Sequence, residues 1–102
     1  MSGKYYLTKE AANDIEEFRE YLQNRGGESI ADHFIGWIFS KFDILSDYPK
    51  IGRKRNDLHP GLLHFPEKRY RQNIFYRKTP QGIEITRVLS VFKDYYEILK
   101  EK

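Results

Sequence analysis

Arginines interleaved with aromatic and β-branched residues are the chemically suggestive feature of this 102-residue chain. If residues 68–78 form a strand, alternation puts Arg69, Arg71, Asn73, Phe75 and Arg77 on one face and Tyr70, Gln72, Ile74 and Tyr76 on the other. Three guanidiniums beside a ring make a costly core but a serviceable recognition surface. The guanidinium fork donates in pairs to phosphate or carboxylate, and an aromatic neighbour can stack on a base. Arg53 and Arg55 stand just upstream, in a basic run punctuated by glycine and proline. Residues 50–78 hold nine basic and two acidic side chains, a net +7 inside a chain whose total is +3, whereas residues 1–49 carry a net −4. Such an imbalance predicts an anionic partner.

Other chemistry finds little support. The chain has no cysteine, which removes disulfides, thiolate nucleophiles and cysteine-based metal sites. His33, His59 and His64 lack any short ligand spacing, so they are expected to be structural or surface residues, with no metal and no cofactor. There is neither a Gly-x-Ser-x-Gly elbow nor a glycine-rich phosphate loop. Arg87 shares its phase with Ile83, Ile85 and Leu89. That leaves it either as a functional cation or as half of an ion pair with Glu84, Glu67 or Asp94. Tyr95 and Tyr96 could act as proton donors, though docking of the tail on the core is the simpler use for them.

The elements that must position these residues follow from periodicity. Tyr5, Tyr6 and Leu7 suit a short strand, and Thr8 is a natural helix cap. Ala11, Ile15, Phe18 and Leu22 fall on one helical stripe that ends at Gly26-Gly27. A second helix is predicted over residues 28–47, with Ala31, Phe34, Ile38, Phe42 and Leu45 on its main stripe. Ile30, Trp37 and Ile44 form an adjoining stripe, so the apolar arc is wider than one contact requires. Tyr48-Pro49 closes that helix, and residues 50–61 read as a loop. Three strands are expected next, over residues 62–66, 68–78 and 83–91, the last two joined by a turn at Thr79-Pro80-Gln81-Gly82. A helical tail follows, docked through Tyr95, Ile98 and Leu99. Strands in meander beside a helical hairpin predict an α+β domain of two layers spanning residues 1–102, with one sheet face uncovered. No stretch approaches the ~20 apolar residues of a membrane span and no apolar leader is visible, so a cytoplasmic protein without membrane contact is expected.

In order and spacing the chain resembles the RelE/ParE superfamily of toxins from bacterial toxin–antitoxin pairs, and most closely its ParE branch. The resemblance rests on Ala11-x-x-Asp14-Ile15, Ala31-x-x-Phe34 and the run Tyr48-Pro49-x-x-Gly52-Arg53-x-Arg55-x-x-Leu58-x-Pro60-Gly61-Leu62. It continues through Phe65-Pro66, Tyr70, Ile74-Phe75-Tyr76-Arg77, Ile85-x-Arg87-Val88-Leu89 and Asp94. The fold implied is the one read above, a helical hairpin on a small antiparallel sheet.

The resemblance further implies a toxin held silent by a cognate antitoxin. ParE-like members trap DNA gyrase on cleaved DNA without covalent chemistry of their own. On that reading Arg53, Arg55, Arg69, Arg71 and Arg77 meet the target. An amphipathic antitoxin segment covers Ile30, Trp37 and Ile44, and the same surface could let free toxin form a homodimer. RelE-like members instead cut mRNA on the ribosome, which needs an activator for the 2′-hydroxyl, a proton donor and cations at the phosphate. In this chain the alternative would fall to Arg77, Arg87, Lys93, Tyr95 and Tyr96, because the terminal His-Tyr pair of that branch is absent.

Overall fold

A computed structural model describes residues 4–100. The chain opens with β1 (Tyr5–Leu7), followed by the hairpin of α1 (Lys9–Gly26) and α2 (Glu28–Asp47). A turn of 3-10 helix (Pro49–Ile51) leads into β2 (Arg53–Lys54), and then come β3 (Leu63–Glu67), β4 (Gln72–Thr79), β5 (Gly82–Ser90) and α3 (Tyr95–Leu99). The five strands lie in the order β1-β5-β4-β3-β2, with β1 parallel to β5 and every other pairing antiparallel. This is the expected α+β arrangement.

Thr8 caps α1 as its sequence position predicts. Its hydroxyl accepts from the Ala11 amide at 3.0 Å and donates to the Thr86 carbonyl at 2.8 Å, tying the helix start to β5. The main stripes of both helices are buried against Ile74, Tyr76, Ile83, Ile85 and Val88 of the sheet. Phe18 meets Phe34 edge-to-face, 5.0 Å between centroids, at the seam of the hairpin.

The sheet gains a strand inside the stretch read as a loop, β2, because Arg53 and Lys54 pair with His64 and Leu63, and three further details differ from the sequence reading. First, residues 68–71 are a tight connection between β3 and β4, and β4 begins only at Gln72. Arg71 sits there with φ 55, a left-handed backbone that a strand cannot continue. Arg69 and Arg71 therefore do not share a strand face with Arg77. Second, Phe75 pairs with Arg87 while Tyr76 pairs with Ile85, so Thr86 is an extra residue in β5. The bulge reverses the alternation, because a one-residue insertion swaps faces beyond it. Ile83 and Ile85 consequently face the helices, whereas Leu89 faces the other way.

Third, the second sheet face is covered. Phe75 and Leu89 are buried there beneath Leu58 and Leu62, with Tyr95, Ile98 and Leu99 of α3 packed against them. The loop between β2 and β3 closes on itself to make this lid: the Arg55 amide donates to the Leu62 carbonyl at 2.8 Å, and the Gly61 amide donates to Asn56 Oδ1 at 3.0 Å.

Candidate target interface

Arg87 is the first candidate the fold explains. Its Nε and Nη2 donate to the two carboxylate oxygens of Asp14, and the Val88 amide donates to the same group. None of Glu84, Glu67 and Asp94 is the partner. Asp14 is 8% exposed, so the paired fork holds α1 to β5 where water cannot compete well. The bond to Asp14 raises Arg87 further above its ordinary range.

Arg55 is also committed. Its Nε and Nη2 donate to Asp57, while Nη1 reaches both His64 Nδ1 and Tyr95 Oη at 3.2 Å. His64 is 3% exposed, stacks on Phe75 with centroids 4.6 Å apart, and meets Asn73 Oδ1 through Nε2 at 2.8 Å. Burial lowers the His64 pKa; the Asn73 contact works the other way, and the charges of Arg55 and Arg53 add to the lowering. The four residues come from the loop, β3, β4 and α3. Sequence reasoning missed His64 and Asn73 as members of this cluster, and the only available signal was their nine-residue separation across a hairpin.

Arginine, histidine and tyrosine are the residue types that cut RNA, and here they meet. Yet both nitrogens of His64 are occupied inside the protein, which leaves nothing to offer a ribose. The residues named for cleavage are tied elsewhere. Arg77 pairs with Glu84 at 3.1 Å, Lys93 with Glu17 at 3.1 Å and Arg87 with Asp14, Tyr95 holds Arg55, and Tyr96 lies beneath Lys100.

The remaining cations divide by position. Arg53 and Lys54 are exposed on β2, the outermost strand, where Arg53 lies in register with His64. Arg69 lies 5.0 Å from the centre of the Trp37 ring, which Lys41 also approaches at 4.4 Å. The Trp37 indole donates to Glu67 Oε2 at 2.7 Å, and that buried carboxylate also accepts the Arg69 and Tyr70 amides. Glu67 thus fixes the 68–71 turn to α2, and Trp37 is less free than the sequence implied. Ile30 and Ile44, at 40% and 41% exposure, remain open on the same helix. His33 completes the cluster, stacking on Trp37 and hydrogen-bonding the Tyr70 hydroxyl.

Arg71 instead stands at a groove of about 600 Å³ between α1, the 68–71 turn and the segment after β5. Phe18, Tyr21, Leu22, Val88 and Phe92 supply its apolar lining, and Arg69, Arg71 and Lys93 its cations. Phe92 is 82% exposed, the most open large apolar side chain among the described residues. The sequence had assigned this segment to the start of a helical tail; α3 begins only at Tyr95, and Phe92 belongs to the preceding turn. Among the described residues, no helix is long and apolar enough to cross a membrane.

Comparison with known proteins accords with this fold. Residues 5–95 match the family described as the ParE toxin of the type II toxin–antitoxin system parDE. The chain is 33% identical over 88 residues to Toxin ParE3 of Caulobacter vibrioides, covering 85% of each sequence. Its fold is similar to a chain of the chromosomal ParDE toxin–antitoxin system from P. aeruginosa, with a TM-score of 0.76 at 20% identity over 87% of this chain and 96% of the other.

Proposed function

Because the chain belongs to the ParE toxin family of type II toxin–antitoxin systems, we propose that it silences DNA gyrase by binding rather than by covalent chemistry. The observation carrying this reading is the outer strand β2. There Arg53 and Lys54 project into solvent beside a loop that the Arg55–Asp57 pair and the Leu58 and Leu62 anchors hold in shape. A preshaped cationic edge suits an acidic protein surface or a DNA backbone, since its ordering cost is met before binding. Arg71, at the groove between α1 and the 68–71 turn, is a second free cation. Arg55, Arg69 and Arg77 contribute mainly by holding their neighbours.

Membership of this family implies a cognate antitoxin. We place its apolar segment over the helical hairpin, against the exposed side chains of Tyr21, Ile30 and Ile44, the ring of Trp37 and the groove that ends at Phe92. Acidic residues of the antitoxin would then reach Arg71. The same apolar surface would support a homodimer of free toxin.

The test is purified protein with gyrase and supercoiled plasmid, scored for linear DNA after denaturation. Cleaved DNA should accumulate with the wild type and vanish with the R53E/K54E double variant. Unchanged plasmid at a large excess of folded toxin would overturn the gyrase reading. The ribosome-dependent nuclease has less support, because Arg77, Arg87, Lys93, Tyr95 and Tyr96 have separate partners; new internal ends in translated transcripts would revive it.

A further inference from the structure

We propose that His64 is a proton-operated latch that fastens the Arg55 loop and the C-terminal helix over the sheet and releases them on acidification. The tautomer follows from the contacts. Arginine has donors only, so the His64 Nδ1 that faces Arg55 Nη1 at 3.2 Å must be a lone pair. The ring proton is then on Nε2, donated to Asn73 Oδ1 at 2.8 Å. Both nitrogens are satisfied in the neutral ring and only in the neutral ring.

A second proton would place an N–H against a guanidinium already fixed by two hydrogen bonds to Asp57. Arg55 would have to leave, and among the described residues it carries the side-chain hydrogen bond that holds Tyr95, the anchor of α3. Around the imidazole, burial and the charges of Arg55 and Arg53 oppose its cation, while the Asn73 acceptor favours it. Arg53 comes from β2, Arg55 from the loop, neutral Asn73 and Phe75 from β4, and the Tyr95 phenol from α3. Asp57 is the nearest carboxylate of the cluster, but Arg55 lies between, and that pairing keeps its own pKa low. Opening removes these constraints and rehydrates the ring, so protonation favours the open form. The open form uncovers Phe75 and Leu89 and loosens the loop that follows the Arg53–Lys54 edge.

The experiment follows His64 ring nitrogens by NMR alongside amide exchange at Arg55, Leu58 and Ile98, whose amides are bonded within the loop and tail. At about pH 7.5 the Nε2–H tautomer is expected. Between about pH 7.5 and 5.5, exchange corrected for intrinsic rates should rise by up to about tenfold, the ceiling set by an open-state imidazole of about 6.5. The H64Q variant keeps a neutral side chain and should lose that response, while H59Q should retain it. If H64Q does not fold, the wild type alone decides, since protection must begin to fall below about pH 6.5 and level off where the folded ring itself takes its proton. A ring that titrates with loop and tail protection unchanged overturns the proposal. So does a pH response that survives in folded H64Q.

Discussion

Asp14 and Arg87, 73 residues apart, meet through two parallel hydrogen bonds of 2.8 and 2.9 Å, and the carboxylate also takes the Val88 amide at 3.0 Å. The pair sits where β5 has run past the end of β1, so the side chain of α1 replaces a strand as the acceptor for the exposed ladder. Removing the carboxylate leaves a partly buried guanidinium and an unsatisfied amide. D14A should therefore cost about 3 kcal/mol, at the lower end for a broken buried pair because Arg87 keeps some solvent. R87K, which retains charge but not the fork, should cost less. Urea denaturation checks both, and a D14A midpoint indistinguishable from wild type would remove Asp14 from this role.

Gly52 is demanded by proximity rather than by its backbone angle. A Cβ at this position would lie 2.2 Å from the Tyr76 hydroxyl, which donates to the Pro49 carbonyl at 2.7 Å. Tyr76 is fully buried, so it has nowhere to retreat. G52A should destabilise by about 2 kcal/mol through overpacking. In Y76F, where the hydroxyl is gone, the added cost of G52A should shrink, giving a coupling readable from a double-mutant cycle. Strict additivity would show that the contact is not the cause.

The pH dependence of stability carries a definite sign. Burial lowers the His64 pKa in the folded protein, so the unfolded chain takes up the proton first as pH falls. Stability linked to His64 is complete above about 6.5, declines as pH drops below that value, and levels off once the folded ring is itself protonated. Thermal melts of wild type should fall across this window more steeply than those of H64Q. Equal slopes would mean that other groups dominate.

How much of this could be read in advance depended on whether one period governed a segment. The two helices could be read because Ala11, Ile15, Phe34 and Ile38 repeat at helical spacing and Thr8 marks the start. The bulge could not, since Thr86 is an ordinary strand residue and its effect appears only as a reversal of face at Leu89. Residues 68–71 alternate like a strand, and nothing in Lys-Arg-Tyr-Arg announces that Glu67 will turn the chain by accepting two amides. The covered sheet face was hidden because Leu58 and Leu62 lie in a segment without period and act as lid only once the loop closes. Of the arginines, the basic character of residues 50–78 was plain, but which charges stay free depended on Asp57, Glu84 and Trp37, distant or unpatterned in the chain.

Arg71 gives the sharpest separation of stability from activity. Its φ of 55 is a left-handed conformation that costs a side-chain-bearing residue roughly 1 kcal/mol and costs glycine little. The turn holds it there by drawing its carbonyl to the Val91 amide at 2.9 Å while the side chain stands at the groove. Glycine would relieve the backbone, offset in part by its greater freedom when unfolded. R71G should thus fold with equal or slightly higher stability, by up to about 0.5 kcal/mol. If the guanidinium serves recognition, the same variant should bind antitoxin more weakly and lose toxicity, and R71K should recover only part of either. Growth of cells expressing R71G, set beside its melting temperature, reads both quantities. A variant that is stable and fully toxic would assign the strain to the turn alone and remove Arg71 from the target surface.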